Sequence, residues 1–398
     1  MLLLLLATTC AALAACGGDD EKKTDDPVTP VTPTDPADTT HTDPTPDTQV
    51  RLAGGDISLL PRYEQNGAKY LDRDGNAIGN MLTFFSNQGW NAMRVRLFVD
   101  PSKASSEAKG QGVCQDLDYV IALSKRIKQA GFQLMLDFHY SDTWADPASQ
   151  WTPDAWLSLT DEQLYTKIYE YTADCLQKMN EAGATPDLIQ TGNEISYGML
   201  WGQQGSQANR CYMGSTANWS RFANLLKQAG KACREKCPQA KIILHTERAG
   251  QASVLLNFYN QMKAAAVDYD IIGLSYYPYY HGTMTTLDNS LTQLEAQFAD
   301  KYIMIVETGC SYHYKVGDNN QGYALSNAGQ KQFTQDLIAT LRKHDRVKGL
   351  FWWFPEANEF GLDWATKRVT NSWYNASLFD NETGRAQDAL YELKNFIN

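Results

Sequence analysis

Residues 187–197 read Asp-Leu-Ile-Gln-Thr-Gly-Asn-Glu-Ile-Ser-Tyr, a short apolar run that stops at Gly192 and is followed at once by Asn193 and Glu194. A buried parallel strand that delivers side chains to a pocket at its carboxyl end has this pattern. One carboxylate at a strand end is not yet a site. The stretch acquires a function only if a second acid ends another strand and the chain can bring the two together.

Seven further strand-like runs occur along the chain, and most are followed by a helix-length pattern of apolar residues at three- and four-residue spacing. Together the eight predicted strands are residues 53–59, 92–98, 133–138, 188–191, 241–245, 271–276, 302–306 and 349–353. The predicted helices are residues 117–130, 164–181, 219–236, 254–265, 287–298 and 328–344. Eight strands alternating with helices predict an α/β fold, a (β/α)8 TIM barrel forming a single catalytic domain.

The second acid is Glu307, which directly follows the seventh run. The ends of the fourth and seventh strands of a barrel lie on opposite sides of one pocket, so Glu194 and Glu307 can face each other. Two carboxylates that flank a substrate are the minimum equipment for cleaving a glycosidic bond, because one protonates the departing oxygen while the other attacks or activates water. The alternative is that each glutamate only pairs with a neighbouring arginine.

Arginine and asparagine side chains near these acids suggest how their roles divide. Asn193 can present its amide to a sugar hydroxyl beside the reacting carbon, or it can simply form a turn. Arg94 and Arg96 alternate along the second strand and point the same way. One of them near Glu307 would keep that carboxylate ionised, and the other could pair with Asp56 or Asp137. The remaining acid should then have a raised pKa beside the charge of Glu307.

Aromatic and histidine side chains follow several strands, and their flat faces suit the apolar side of a sugar ring. We predict that the wall of a sugar-binding cleft is formed by His139, Tyr140, Asp142, Trp144, Tyr276, Tyr277 and Trp353. His245 ends the fifth strand. His139 and His245 could bind a metal in principle, but no His-x-x-x-His motif or acidic cluster supports a metal site.

The first 49 residues have a composition unlike the rest of the chain. Residues 1–15 are predicted to be a signal peptide ending before Cys16, with small residues ahead of a cysteine that would be lipidated. An ordinary signal peptide with a chance cysteine is the alternative. Residues 16–49 are rich in Pro, Thr and Asp and are predicted to be a disordered linker, which leaves residues 50–398 for the catalytic domain.

The composition also limits the possible partners. The formal net charge is −11 and the basic residues are scattered, which argues against a nucleic-acid partner. Beyond the N-terminal segment six cysteines remain, and they match no zinc pattern. They could be buried free thiols, or two of them could form a disulfide.

Several motifs together resemble glycoside hydrolase family 53, the arabinogalactan endo-β-1,4-galactanases. The most specific is Asp-Phe-His-Tyr-Ser-Asp-Thr-Trp-Ala-Asp-Pro at residues 137–147. The others are Gly-Asp-Ile-Ser at 55–58, the stretch 91–96, Gly-Asn-Glu-Ile at 192–195, Ser-Tyr-Tyr-Pro at 275–278, Val-Glu-Thr at 306–308 and Gly-Leu-Phe-Trp-Trp at 349–353. The Asn-Glu pair is shared by a whole clan of retaining glycosidases, so the long motif carries most of the specificity.

The resemblance implies a retaining double displacement on β-1,4-galactan of pectin, with Glu194 as acid/base and Glu307 as nucleophile about 5 Å apart. It further implies that Arg94, His139, Asn193, Tyr277 and Trp353 line the cleavage subsite. No cofactor is required. Some bacterial relatives bind calcium after the seventh strand, but here only Asp318, Asn319 and Asn320 form a group, so calcium is not favoured.

We therefore expect a monomeric, extracytoplasmic lipoprotein, anchored to the membrane through Cys16, that cleaves a polysaccharide. Asp56, Trp144 and His245 complete the set of candidate substrate-binding residues. Two alternatives remain open at this point. The chain could be another retaining glycanase of the same clan, acting on mannan, xylan or glucan, or a surface glycan-binding lipoprotein with no activity.

Overall fold

The computed structural model describes residues 50–316, 320–371 and 374–398, which form a closed barrel of eight parallel strands in sequential order. This confirms the predicted (β/α)8 fold. The strands are β1 Leu52–Asp56, β2 Ala92–Leu97, β3 Gln133–Phe138, β4 Leu188–Thr191, β5 Lys241–Thr246, β6 Ile271–Tyr276, β7 Tyr302–Thr308 and β8 Val347–Trp353. The predicted signal peptide, lipidated Cys16 and linker lie outside the described residues and stay predictions.

Helices connect the strands, and the long ones match the six predicted from apolar spacing. The helices are α1 Leu60–Asn66, α2 Met81–Asn87, α3 Ser106–Gly110, α4 Leu117–Gln129, α5 Asp161–Glu181, α6 Trp219–Lys236, α7 Ala252–Ala264, α8 Pro278–His281, α9 Met284–Gln297, α10 Asn327–Leu341 and α11 Asp388–Glu392. Helix α5 begins earlier than predicted because Thr160 and Gln163 form a reciprocal capping box ahead of its apolar stripe. The five short helices were not predicted, since none is long enough to show a helical period.

Strand β1 ends at Asp56 rather than at residue 59 as predicted. The Asp56 carboxylate accepts hydrogen bonds from the backbone N–H and the hydroxyl of Ser58, at 3.0 and 2.6 Å. These bonds turn the chain out of the sheet directly after the acid. Asp56 is therefore held at the strand end by its own local turn.

The barrel interior is apolar at one end and polar at the other. Its apolar floor contains one or two residues from each strand: Leu52, Ala92, Met135, Leu188, Ile243, Ile271, Met304, Val306 and Phe351. Because side chains alternate along a strand, the residue two positions further on faces inward again. That position is Arg94 in β2, Asp137 in β3, Gln190 in β4 and His245 in β5. Polar side chains are thereby stacked above the floor, toward the carboxyl ends of the strands.

Strand β7 departs from this alternation where it matters most. Its register with β8 is irregular between Ile305 and Thr308. Val306 packs in the interior floor, yet Glu307, the next residue, borders the cleft above it. Such an irregularity allows two successive residues to face the same side.

Free thiols account for all six cysteines that the described ranges contain, so the alternative of one disulfide is not realised there. Five of these six side chains are buried. None of the helices in these ranges is long and apolar enough to cross a membrane.

Candidate active site

The turn after β4 presents Asn193 and Glu194 to the end of the barrel. Gly192 adopts φ 103°, and a Cβ atom built on it would lie 2.7 Å from Cγ2 of Ile195. Only glycine fits that conformation and that space. Glu194 itself has φ 49°, a left-handed conformation that costs a non-glycine residue about 1 kcal/mol or more. The backbone is thus strained at the residue predicted to be the catalytic acid.

Glu307 is held between a cation and a phenol. Its Oε1 lies 2.9 Å from Nη2 of Arg94, and its Oε2 accepts a hydrogen bond from the hydroxyl of Tyr277 at 3.2 Å. The residue is almost entirely buried, with only 5% of its surface exposed. Both contacts favour the carboxylate over the acid.

Glu194 has a different set of neighbours. Its Oε1 accepts a hydrogen bond from the Ser275 hydroxyl at 2.7 Å. Ser275 Oγ in turn lies 2.8 Å from Nε2 of His245, so we assign the ring proton to that nitrogen, which donates to the serine. Burial lowers the pKa of His245 well below its usual value, and the imidazole is therefore neutral at physiological pH.

The pKa values of the two glutamates follow from these surroundings. Burial raises the pKa of Glu307 to about 7, and the ion pair with Arg94 opposes that rise. Burial, and then the charge of Glu307, raise the pKa of Glu194 well above its usual range. The predicted direction for Glu194 is confirmed, although burial is a larger cause than the neighbouring carboxylate. Above the pKa of Glu307 the pair holds one carboxylate, at Glu307, and one proton, at Glu194.

Asn193 is fixed by hydrogen bonds at both ends of its amide. Its Nδ2 donates to the backbone carbonyl of Ala145 at 2.7 Å, and its Oδ1 accepts from Nη2 of Arg94 at 3.0 Å. Gln190 lies beside it and donates to Asp137 at 2.5 Å. A side chain with both amide atoms engaged has a defined orientation, which a residue that recognises one hydroxyl requires.

The two arginines of β2 share Asp56 but otherwise have different partners. Arg94 contacts Asp56 at 2.9 Å and Asp137 at 2.7 Å in addition to Glu307. Arg96 contacts Asp56 at 2.9 Å. The question that the sequence left open is therefore settled in favour of Arg94 as the partner of Glu307.

An open cleft with a volume of about 730 Å³ lies above the two glutamates. Trp144, Tyr277 and Trp353 line it, as predicted from sequence, together with Asn193. The remaining lining residues include Glu247 and Arg248 after β5, and Tyr280 and His281 of α8. Aromatic faces combined with polar groups suit a sugar chain.

Four predicted substrate-binding residues lie beneath the cleft surface rather than on it. Asp56, Arg94, His139 and His245 are at most 2% exposed. His139 accepts a hydrogen bond at Nδ1 from the backbone N–H of Ala145 and places Nε2 3.0 Å from Asp137. In the free protein Arg94, His139 and His245 contact side chains or backbone that form the cleft surface. Asp56 pairs with Arg94, and none of the four lines the cleft itself.

Three residues predicted for the cleft wall have structural partners instead. The Tyr140 hydroxyl bonds the Thr172 side chain at 2.8 Å, on the helix side of the strand. The Asp142 carboxylate accepts from the backbone N–H groups of residues 100 and 154, at 3.0 and 2.8 Å, which ties two loops together. Tyr276 stacks on Phe333 of α10. Tyr276 points away from the cleft because side chains alternate along β6. Tyr140 and Asp142 lie beyond the end of β3, and the hydrogen bonds described above hold them away from it.

Sequence reasoning missed Gln190, Ser275 and Glu247. Gln190 and Ser275 are polar residues at inward positions of otherwise apolar strands, and that interruption was a usable signal. Glu247 borders the cleft one residue past β5, where its Oε1 accepts from the Ser196 hydroxyl and lies 2.8 Å from Nε of Arg248. Burial raises the pKa of Glu247.

Among the residues described, no three His, Cys, Asp or Glu side chains are grouped so that they could hold a metal ion. The calcium ligands considered from sequence include Asp318 and Asn319, which lie outside the described residues. Asn320 is described, and its side-chain oxygen accepts a hydrogen bond from the backbone of Gly322 at 2.9 Å.

Residues 52–393 match glycosyl hydrolase family 53. The chain belongs to this family. It is 31% identical over 317 residues to an arabinogalactan endo-β-1,4-galactanase A of Aspergillus niger, covering 76% of this chain and 84% of the relative. The family 53 chain is therefore a glycoside hydrolase, in agreement with the paired acids of the cleft.

Solved structures support the same placement. A family 53 catalytic domain of Ignisphaera aggregans superimposes with a TM-score of 0.76 at 31% identity, over 89% of this chain and 98% of that one. A structure of fungal β-1,4-galactanases gives a TM-score of 0.72 at 29% identity, over 86% and 99% of the two chains. The barrel of this family 53 hydrolase thus corresponds to nearly the whole of each solved chain.

Proposed function

We propose that this family 53 hydrolase is a retaining endo-β-1,4-galactanase that cleaves galactan and arabinogalactan side chains of pectin. The observation that carries the mechanism is the unequal environment of its two acids. Glu307 has an arginine and a phenol at its oxygens, whereas Glu194 has a serine hydroxyl and a raised pKa. The substrate class is supported by the galactanase relatives and by the aromatic cleft.

In the first step the Glu307 carboxylate attacks the anomeric carbon while the glycosidic bond breaks. Glu194 donates its proton to the departing oxygen, so the leaving sugar is released as an alcohol. The Ser275 hydroxyl donates to Oε1 of Glu194, which leaves Oε2 as the atom that carries the transferred proton. The product of this step is a glycosyl ester of Glu307.

In the second step water hydrolyses that ester. Glu194, now a carboxylate, takes a proton from water, the hydroxide oxygen bonds to the anomeric carbon, and the bond to Glu307 breaks. Both groups return to their starting states, and two inversions give retention of configuration. Asn193 carries a second amide N–H, and we propose that it donates to the sugar hydroxyl beside the anomeric carbon.

Activity assays with two amide variants test this proposal. Glu194→Gln and Glu307→Gln should each abolish release of galacto-oligosaccharides from galactan while leaving the circular dichroism spectrum and the melting temperature close to those of the wild type. Glu162→Gln, at an exposed acid in the first turn of α5, is the matched control and should retain full activity. Near-normal activity of either catalytic variant would contradict the assignment.

A panel of purified polysaccharides tests the substrate class. We expect hydrolysis of β-1,4-galactan with formation of oligosaccharides, and no comparable activity on mannan, xylan or β-glucan. Proton NMR of the first products should show the β-anomer before mutarotation, as retention requires. Cleavage of another glycan would show that the enzyme has a different substrate specificity, and binding without any cleavage would show that the chain is a glycan-binding protein.

We also propose that the enzyme is a monomer held outside the cytoplasm by a lipid on Cys16. The lipid anchor rests on the sequence of the N-terminal 49 residues alone. Expression of the full chain in a bacterial host should give a protein that partitions into detergent, and Cys16→Ser should move it to the soluble fraction. Equal partitioning of the two forms would argue against lipidation.

A further inference from the structure

Arg96 is a buried guanidinium surrounded largely by aromatic rings. It is fully buried and pairs with one carboxylate, Asp56, at 2.9 Å. Its guanidinium carbon lies 4.8 Å from the ring centre of Trp144, 5.1 Å from Trp353 and 5.1 Å from Phe354. Its Nε and Nη2 atoms have no hydrogen-bond partner among the described residues.

A buried cation in this position needs more than one shared carboxylate, because Asp56 also pairs with Arg94. Aromatic faces supply part of the missing stabilisation, and a desolvated cation–π contact contributes about 2 kcal/mol. The interaction constrains the rings as well as the cation, since it requires each ring face to point at the guanidinium. Arg96 therefore restricts the orientation of the tryptophans.

Two of these three rings border the cleft. Trp144 and Trp353 both line it, and their ring centres lie 6.0 Å apart in an edge-to-face arrangement. Arg94, two residues earlier on the same strand, lies 2.9 Å from Glu307. The neighbouring arginines thus reach different parts of the site, one the reacting carboxylate and the other the aromatic wall.

We propose that Arg96 is a positioning residue for sugar binding, which fixes Trp144 and Trp353 as one aromatic platform from beneath. It acts on substrate affinity through the orientation of the two rings, and its charge beside Asp56 is a separate contribution that a lysine retains. The inference deepens the proposed galactanase function and rests on it for the identity of the sugar.

The test compares one conservative substitution at two positions on β2. Arg96→Lys keeps the charge beside Asp56 but removes the planar group that stacks on rings. We expect KM for galactotetraose to rise roughly tenfold, with kcat and the acidic limb of the pH profile unchanged. Arg94→Lys is the matched control, and it should instead lower kcat and move the acidic limb.

A spectroscopic measurement reports the ring directly. With 5-fluorotryptophan incorporated, the Trp144 resonance is assigned by its loss in Trp144→Phe. In Arg96→Lys we expect this resonance to shift and broaden as the ring gains alternative orientations. An unchanged resonance together with an unchanged KM would overturn the proposal, and so would a shift of the acidic limb like that of Arg94→Lys.

A second variant covers the case in which Arg96→Lys does not fold. Phe354→Leu removes a ring that contacts Arg96 without lining the cleft; this ring also packs on Trp353 at 5.1 Å, so the Trp144 resonance is the decisive readout. It should weaken binding in the same direction by a smaller factor and perturb the same fluorine resonance, and no effect on either would overturn the proposal. If the wild-type enzyme neither binds nor cleaves galactotetraose, the galactanase function fails, while the fluorine spectra still decide the role of Arg96.

Discussion

Arg94→Lys is the substitution that most directly tests how Glu307, the proposed nucleophile, is kept ionised. The guanidinium of Arg94 reaches Glu307, Asp56 and Asp137 at once. A lysine ammonium is a single compact charge on a shorter side chain, and it cannot contact three carboxylates in the same geometry. We expect it to stay between the two aspartates and to lie farther from Glu307.

The magnitude follows from the separation of the charges. With an effective dielectric constant of about 20, opposite charges at the observed 2.9 Å attract by about 6 kcal/mol. At roughly 4.5 Å the attraction falls to about 4 kcal/mol. The difference of about 2 kcal/mol corresponds to a rise of about 1.5 units in the pKa of Glu307.

The direction of the change in the pKa of Glu307 determines which limb of the pH profile moves. In the proposed mechanism Glu307 must be ionised to attack, so activity is lost as the pH falls through its pKa, which is about 7 in the free enzyme. A higher pKa in the variant extends that loss to higher pH. The acidic limb of kcat/KM should therefore shift upward by about one to two units, since kcat/KM reports the free enzyme.

Hydrolysis of galactan oligosaccharides measured from pH 4 to 10 provides the assay. Arg126→Lys is the control, because Arg126 makes a two-bond ion pair with Glu64 on the surface, far in sequence from the strand-end acids. It should leave the profile unchanged. An acidic limb that stays in place in Arg94→Lys, or moves to lower pH, would refute the assignment of Arg94 as the group that stabilises the Glu307 carboxylate.

Three other substitutions have defined outcomes. Ser275→Ala removes a hydrogen bond that lowers the pKa of Glu194, so the basic limb of kcat/KM should move to higher pH with a several-fold loss of rate. Glu356 is fully buried, and burial raises its pKa to about 8. Its protonated form therefore stabilises the fold fully at a pH below the pKa that Glu356 has in the unfolded chain, and this stability is lost as the pH rises through about 8. Urea unfolding should therefore show Glu356→Gln gaining on the wild type from pH 5 to pH 8.5, by at most about 4 kcal/mol. Gly192→Ala should lower the free energy of unfolding by about 2 kcal/mol or more. Gly183→Ala is the control, because Gly183 has φ 72° but open space around it, and it should lower the free energy of unfolding by about 1 kcal/mol. Equal losses in the two variants would contradict the steric argument.

The barrel could be predicted because its signals are local and repeated. Each strand is a short apolar run and each long helix carries an apolar stripe, and both patterns are visible in windows of a few residues. The missed elements lack such signals. Helix α2 has seven residues and begins at an asparagine cap that resembles any loop asparagine, while the early end of β1 depends on the side chain of Ser58.

The pair Glu194 and Glu307 could be predicted from strand order, because the ends of parallel strands meet at one face of the barrel. The depth of each polar side chain within the barrel could not be predicted in this way. Arg94, His139 and His245 were expected at the cleft surface, but each lies below it, in contact with the groups that form the surface. Whether a polar side chain at a strand end touches substrate or supports a neighbour depends on loop packing, and the strand pattern does not contain that information.

The balance of buried charge explains why these supporting residues belong to the mechanism. Beneath the cleft, two guanidinium groups, Arg94 and Arg96, face three carboxylates, those of Asp56, Asp137 and Glu307. With all three acids ionised, the cluster carries one negative charge in excess, and burial makes that charge costly. Burial, together with the charges of Asp137 and Asp56, raises the pKa of Glu307 to about 7 despite its direct contact with Arg94.

Of these three carboxylates, Glu307 is the one that lines the cleft. In the proposed mechanism Glu307 loses its charge when it forms the glycosyl ester, and Glu194 becomes the carboxylate. The two guanidinium groups then match the two remaining aspartates. The free enzyme thus holds its nucleophile ionised but not fully neutralised, and the covalent intermediate restores the balance. An additional buried cation in this layer would lower the pKa of Glu307 and should also make it a weaker nucleophile, so the shortage of one positive charge favours the reaction.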